Sequence, residues 1–251
     1  MSDKSAIEWT DATWNPVTGC SKVSPGCAHC YAERLSLRFG QSVLPWTPAN
    51  AEQNVVLHPE RLGVPESWRQ ARMIFVNSMS DMWHPLVPAA FIGQVFEVMQ
   101  RTPRHTYQIL SKRPELMRAW FEGPGARWGA EPLPNVWLGT SIENDRWVSR
   151  ADELRATPAA VRFISAEPLL SALPSLELAG IDWLIVGGES GSTHRPMDEA
   201  WVRELQRKAD DAETAFFFKQ WGGRTPKAGG RQLDGRTFDA YPTSRTEALR
   251  R

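Results

Sequence analysis

Hydrophobic and polar positions repeat along this chain as a block: a short apolar run, a polar cluster, then a stretch with helical spacing. Met73-Ile-Phe-Val76 ends in Asn77-Ser78-Met79-Ser80-Asp81, and Pro88 to Arg101 follows with apolar positions on one face. Tyr107-Gln-Ile-Leu110 ends in Ser111-Lys112-Arg113-Pro114, before a helix to Phe121. Val136-Trp-Leu138 ends in Gly139-Thr140-Ser141-Ile142-Glu143, before a helix over about 145–156. Val161 to Ile164 ends in Ser165-Ala166-Glu167. Trp183 to Val186 ends in Gly187-Gly188-Glu189-Ser190-Gly191, and a helix is expected from about Asp198 to Asp210. Ala215-Phe-Phe-Phe218 ends in Lys219-Gln220-Trp221-Gly222-Gly223.

Strands alternating with helices predict βαβ units and a parallel sheet, hence the α/β class. About seven such units predict a full or partial (β/α) TIM-like barrel. No Gly-x-Gly-x-x-Gly turn follows the first strand, which argues against an open dinucleotide-binding sheet. The expected organisation is one barrel domain over 1–224, with an N-terminal cysteine loop and an insertion at about 41–72. In that insertion Pro45, Pro48, Pro59 and Pro65 break the pattern, and 54–57 reads as a short strand. Residues 225–251 read as a C-terminal flap or tail, with a hairpin turn at Asp234-Gly235 and fraying from Thr243.

In a barrel the C-terminal strand ends converge, so Cys20, Asn77, Asp81, Ser111, Lys112, Ser141, Glu143, Glu167, Glu189 and Lys219 are expected around one cavity. Ser, Asp and Asn also form turns and cap helices, as Ser165 and Asp198 are expected to do. The argument for a site is therefore stronger at Lys112, Glu143, Glu167, Glu189 and Lys219. Lys+Arg and Asp+Glu both number 29, so no global charge draws the chain to nucleic acid or membrane. No apolar run is long enough to span a bilayer, and the first residues lack a signal-peptide pattern. Clustered thiols without a secretion signal are expected in a reducing, cytoplasmic setting.

Every cysteine lies in Cys20-Ser-Lys-Val-Ser-Pro-Gly-Cys27-Ala-His-Cys30, an odd number that intramolecular disulfides cannot use up. Cys27 and Cys30 can present two sulfurs to one metal, and a turn at Ser24-Pro25-Gly26 can fold Cys20 back to it. A structural zinc needs a fourth ligand, for which His29, His84 and His194 are the candidates. A [4Fe–4S] cluster on three thiolates leaves one iron open. On the residues alone, both readings stand.

Three closely spaced cysteines after a first strand, with an aromatic beside the last, resemble the radical S-adenosylmethionine (SAM) enzymes. The spacing here is Cys-x₆-Cys-x₂-Cys with Tyr31 after the last cysteine. The usual pattern is Cys-x₃-Cys-x₂-Cys, with the aromatic before it. The resemblance implies that Cys20, Cys27 and Cys30 hold a [4Fe–4S] cluster whose open iron binds SAM. An electron donor would reduce it, and a 5′-deoxyadenosyl radical would abstract hydrogen from a substrate. Asn77, Ser78, Asp81, Ser111, Ser141, Glu143 and Glu167 are then expected to bind the cofactor, and Lys112, Glu189 and Lys219 to be catalytic. With Arg113, Arg195 and Arg224 the lysines form a basic set, and Trp83 and Trp221 are near it in sequence. That combination suggests a nucleotide or nucleic-acid base as substrate. The same cations could instead pair with Glu143, Glu167 and Glu189. Over nearly its whole length the chain also resembles a family of uncharacterised proteins common in phages and prophages. That likeness rests on Ile7 to Cys20, Ser111 to Pro114, Gly139 to Glu143, Gly187 to Gly191 and Lys219 to Gly223. The alternatives are a zinc-stabilised hydrolase or nuclease, and a metal-stapled binding partner without chemistry.

Overall fold

The apolar runs are strands, and most extend past the apolar residues into the polar clusters. The computed structural model describes residues 4–42 and 44–242, so the stretch expected to fray from Thr243 lies outside the described residues. Two compact units divide the described residues, one within 4–138 with 156–160 and the other of 139–155 with 161–242.

The first unit opens with β1 (Ala12–Trp14), β2 (Val17–Thr18) and α1 (Tyr31–Arg38). The proline-broken stretch holds α2 (Ala51–Asn54), β3 (Val56–Leu57) and α3 (Val64–Ser67). Then come β4 (Met73–Val76), α4 (Ala89–Arg101), β5 (Thr106–Ser111), α5 (Pro114–Glu122), α6 (Ala126–Ala130) and the start of β6 (Val136–Ser141, up to Leu138). β1 pairs with β4, and β4 with β5, both in parallel. All four residues of β4 are buried, as expected for a parallel strand covered on both faces. α4 follows Pro88 and buries Phe91, Val95, Phe96 and Met99 on one face. Phe96 packs among Trp120, Phe121 and Trp128, and both tryptophans are buried in the core.

The insertion is tied down. β3 pairs antiparallel with β2, placing Val17 opposite Leu57 and Thr18 opposite Val56. Gly19, with φ +83°, lies so close to the Asn54 carbonyl that any side chain would collide with it. The insertion is thereby anchored beside the start of the cysteine loop.

The second unit holds α7 (Arg150–Ala156, up to Arg155), β7 (Val161–Ala166), β8 (Trp183–Gly187), α8 (Glu199–Asp211) and β9 (Ala215–Gln220). β7 pairs with β8, and β8 with β9, in parallel. Asp198 caps α8, accepting from Ala200 N at 2.8 Å. In the expected flap, Leu233 and Arg236 close a turn, and the chain then runs antiparallel along β9. Phe218 N donates to Phe238 O at 3.0 Å and Ala240 N to Phe216 O at 3.2 Å. Altogether the protein is a mixed α/β chain, with parallel strands ordered β1-β4-β5 in the first unit, which also holds the small antiparallel β2-β3 pair, and β7-β8-β9 in the second.

Candidate functional site

The cysteine loop leaves β2 and ends at the first turn of α1. Cys20, Cys27 and Cys30 are all reduced and half-buried. The Ser24-Pro25-Gly26 turn forms as expected, with Cys27 N donating to Ser24 O at 2.9 Å. Cys27 is close enough for its charge to act on both other thiols. Burial pushes the Cys20 thiol up to about 12, the Asp81 carboxylate adds to this, and Arg113 opposes it. Burial also pushes Cys30 up, against the Glu33 and Ala32 N–H groups of α1 and the Lys112 charge. Those N–H groups face the sulfur without a close hydrogen bond. Among the described residues no three His, Cys, Asp or Glu side chains are drawn into one ready-made metal-ligating group.

The clusters after β4 and β5 close on this loop through Asp81. Its Oδ1 accepts from Ser111 Oγ at 2.8 Å and Trp83 N at 3.1 Å. Its Oδ2 accepts from Lys112 N at 3.0 Å and Arg113 Nη1 at 3.1 Å. Asp81 and Ser111, expected to bind a cofactor, are thus held by protein groups. Arg113, expected in the basic set for an anionic substrate, is buried with its side chain 5% exposed. Its Nη1 stands 3.5 Å from Cys20 Sγ, and Nη2 donates to Ser21 O at 2.9 Å and Ser21 Oγ at 3.1 Å. Lys112 remains half-buried with no ion pair among the described residues.

Ser21 and His84 meet at 2.9 Å through Oγ and Nε2. The other ring nitrogen, Nδ1, accepts from Leu86 N at 3.2 Å, so it carries no proton. The neutral ring must then hold its proton on Nε2 and donate to Ser21. Burial and the Arg113 charge hold His84 down at about 4, which keeps it neutral. Such a histidine cannot act as the base that activates Ser21, and both its nitrogens are engaged.

Asn77 sits at φ 58° and accepts from Val17 N at 3.3 Å, while its Nδ2 is buried with no partner among the described residues. The Ser78 hydroxyl donates to Asn15 Oδ1 at 3.2 Å, and the Ser78 carbonyl accepts from Tyr31 OH at 2.6 Å. Trp83 is 3% exposed and packs on Phe121, so it offers no face for stacking a base.

In the second unit the expected carboxylates are paired. Glu143 is buried and takes Arg150 Nη1 at 3.0 Å, and the same nitrogen donates to Ser141 O at 2.9 Å. Ser141 Oγ itself is buried without a partner among the described residues. Glu189 is held by Arg195 through N at 2.9 Å, Nε at 3.0 Å and Nη2 at 2.5 Å. Lys219 Nζ pairs with Glu167 Oε1 at 2.9 Å, and Ser165 Oγ donates to Glu167 Oε2 at 3.2 Å. Glu189 and Lys219, expected to be catalytic, are therefore both in ion pairs. Arg224 is exposed, and Trp221 Nε1 donates to Gln232 O at 2.8 Å.

The two glycine clusters are a backbone lock. Gly188 N donates to Gln220 O at 2.9 Å, Gly223 N to Glu189 O at 3.0 Å and Gly191 N to Gly223 O at 2.9 Å. Gln220 Nε2 reaches Gly188 O at 3.0 Å and Ser190 Oγ at 2.7 Å. The residues that sequence reasoning missed are Ser21, Asn15 and Arg150. Asn15 had a signal in the polar run before Pro16, and Arg150 carried none beyond its helical setting.

The molecule is thus a mixed α/β protein with a parallel sheet and a three-cysteine loop beside its first strand. The chain belongs to the family described as protein of unknown function (DUF5131), whose profile matches residues 4–242. No curated protein and no solved structure matches it.

Proposed function

We propose that the loop from Cys20 to Cys30 is an iron–sulfur site in a radical SAM-like enzyme with a partial (β/α) barrel. The observation that carries this reading is the donor set. Three thiols share one electrostatic neighbourhood, while His84, one of the three candidate fourth ligands, has both ring nitrogens engaged. A structural zinc calls for four protein ligands, whereas a [4Fe–4S] cluster on three thiolates leaves an iron for a small molecule. Cys20, Cys27 and Cys30 would hold it. Binding a cationic centre there would have to displace the thiol protons, which burial holds on Cys20 and Cys30. Bound there, such a cluster supplies one-electron chemistry to SAM.

The chain's own residues would orient the partners and exclude water. Lys112, unpaired and acting on Cys30, suits a carboxylate or phosphate of SAM or of an anionic substrate. Asn77 Nδ2 and Ser141 Oγ are buried polar atoms without partners among the described residues, each of which a ligand could satisfy. A nucleotide or nucleic-acid base remains the substrate class suggested, now on Lys112 rather than on Trp83. The reading also requires an electron donor and a reducing compartment.

Anaerobic purification tests it. Expected are brown protein, broad absorption near ~400 nm and about four irons per chain, all lost on replacing any of the three cysteines by alanine. The reduced protein should cleave SAM to methionine and 5′-deoxyadenosine. A colourless protein holding one zinc overturns the reading.

A further inference from the structure

We propose that Arg113 is the positioning residue of the cysteine site, fixing Cys20 in place and keeping a permanent positive charge against its sulfur. This rests on the iron–sulfur reading above. The guanidinium is a planar fork that stays protonated at every working pH. Nη1 is shared between Asp81 Oδ2 at 3.1 Å and Cys20 Sγ at 3.5 Å. Nη2 is shared between the carbonyl and hydroxyl of Ser21, at 2.9 and 3.1 Å. The residue's own N–H is pinned by Ser111 Oγ at 2.9 Å. Rotating the fork would break four contacts together, so Cys20 and Ser21 are held from the end of strand β5 as well as by their own loop.

Asp81 accounts for burying a charge here, since an unpaired guanidinium would be too costly inside the protein. That carboxylate already accepts from Ser111, Trp83 and Lys112, and it engages only one nitrogen of the fork. The remaining donors are therefore turned to the cysteine loop. A cation and an N–H donor at a ligating sulfur both favour the reduced cluster, because they offset the added electron. The Asp81 charge acts in the opposite sense. The pair should thus tune the site from both sides.

The test is a redox titration of the anaerobically reconstituted full chain, read by electron paramagnetic resonance. Arg113→Gln should disfavour reduction about tenfold, a shift of about 59 mV to more negative potential for one electron. Asp81→Asn should shift the potential the other way. Arg113→Lys should keep most of the wild-type potential but release iron to a chelator faster, having the charge without the fork. A wild-type potential in Arg113→Gln, or shifts of one sign in both Arg113→Gln and Asp81→Asn, overturns the proposal, since mere loosening would move both alike. If Arg113→Gln does not fold, Arg113→Lys and Asp81→Asn decide, and wild-type potential and iron release in both overturn it. Wild-type protein that takes up no iron overturns the iron–sulfur reading and this inference together. Unmoved variants on an iron-loaded wild type overturn this inference alone.

Discussion

Gly188 and Trp221 approach so closely that a methyl group on the glycine would fall inside the Trp221 carbonyl oxygen. Backbone meets backbone there, and neither side can yield as a flexible side chain would. Gly188→Ala should therefore cost about 2–3 kcal/mol in urea unfolding, at the upper end for overpacking. Gly63→Ala is the control: its nearest neighbour, Glu66 Oε2, lies at 3.7 Å, and it should change stability by under about 1 kcal/mol. Gly187→Ala falls between the two. Its added carbon would meet Glu167 Oε1 at 2.5 Å, a side-chain end that can swing away at the expense of the Lys219 pair. Equal stability of Gly188→Ala and Gly63→Ala would show that the glycine lock is not needed for the fold.

The buried Asp81–Arg113 pair predicts a large asymmetry between breaking and removing it. Arg113→Met alone leaves Asp81 buried without its cation and should lose about 3–5 kcal/mol. Adding Asp81→Leu should recover part of that loss, because no buried charge is then left unpaired. A double-mutant cycle by urea denaturation measures the coupling. Additive losses would mean that the two residues act separately.

His84 gives the fold an acid-sensitive contribution. Its folded-state value is held down at about 4 from 6.5, so below pH 6.5 the unfolded chain takes up a proton that the folded chain does not. Stability should be full above pH 6.5 and fall towards pH 4, by up to about 3 kcal/mol at that limit. His84→Asn should flatten this part of the profile, as read from unfolding midpoints at pH 7 and pH 5. An unchanged slope would assign the acid sensitivity to other groups.

Cys20 should be a slow nucleophile in the metal-free protein. With its thiol held at about 12, little thiolate is present at pH 8. Iodoacetamide labelling, followed by peptide mass mapping, should modify Cys20 at least about tenfold more slowly than a small free thiol. Labelling at the free-thiol rate would contradict the burial of this sulfur.

The strands and long helices were legible because their period is written into short-range sequence. Met73 to Val76 and Ala215 to Phe218 read as buried strands and are buried strands. The cysteine loop and its turn were equally clear. Pairing was not, because it depends on residues far apart in the chain. Arg113 read as one cation of a basic patch, yet its surroundings are Asp81 and the Ser21 backbone, 32 and 92 positions away. His84 looked like a spare metal ligand until Ser21 and Leu86 were found on its two nitrogens. Gly187-Gly188 and Gly222-Gly223 read only as strand-end clusters, and their close approach to each other depends on residues more than 30 positions apart. Of the two outcomes open for the strand-end carboxylates, pairing with nearby cations is the one found at Glu143, Glu167 and Glu189.

The stretch from Arg236 to Ala240 runs against the direction of every strand pair it adjoins. By bonding to Phe216 and Phe218 it occupies the outer rim of β9, where three consecutive phenylalanines would otherwise offer open backbone groups to another chain. Trp183 Nε1 holds it there through Ala240 O at 2.9 Å. This short antiparallel segment therefore takes up backbone groups of β9 that a second copy of the strand would need for pairing.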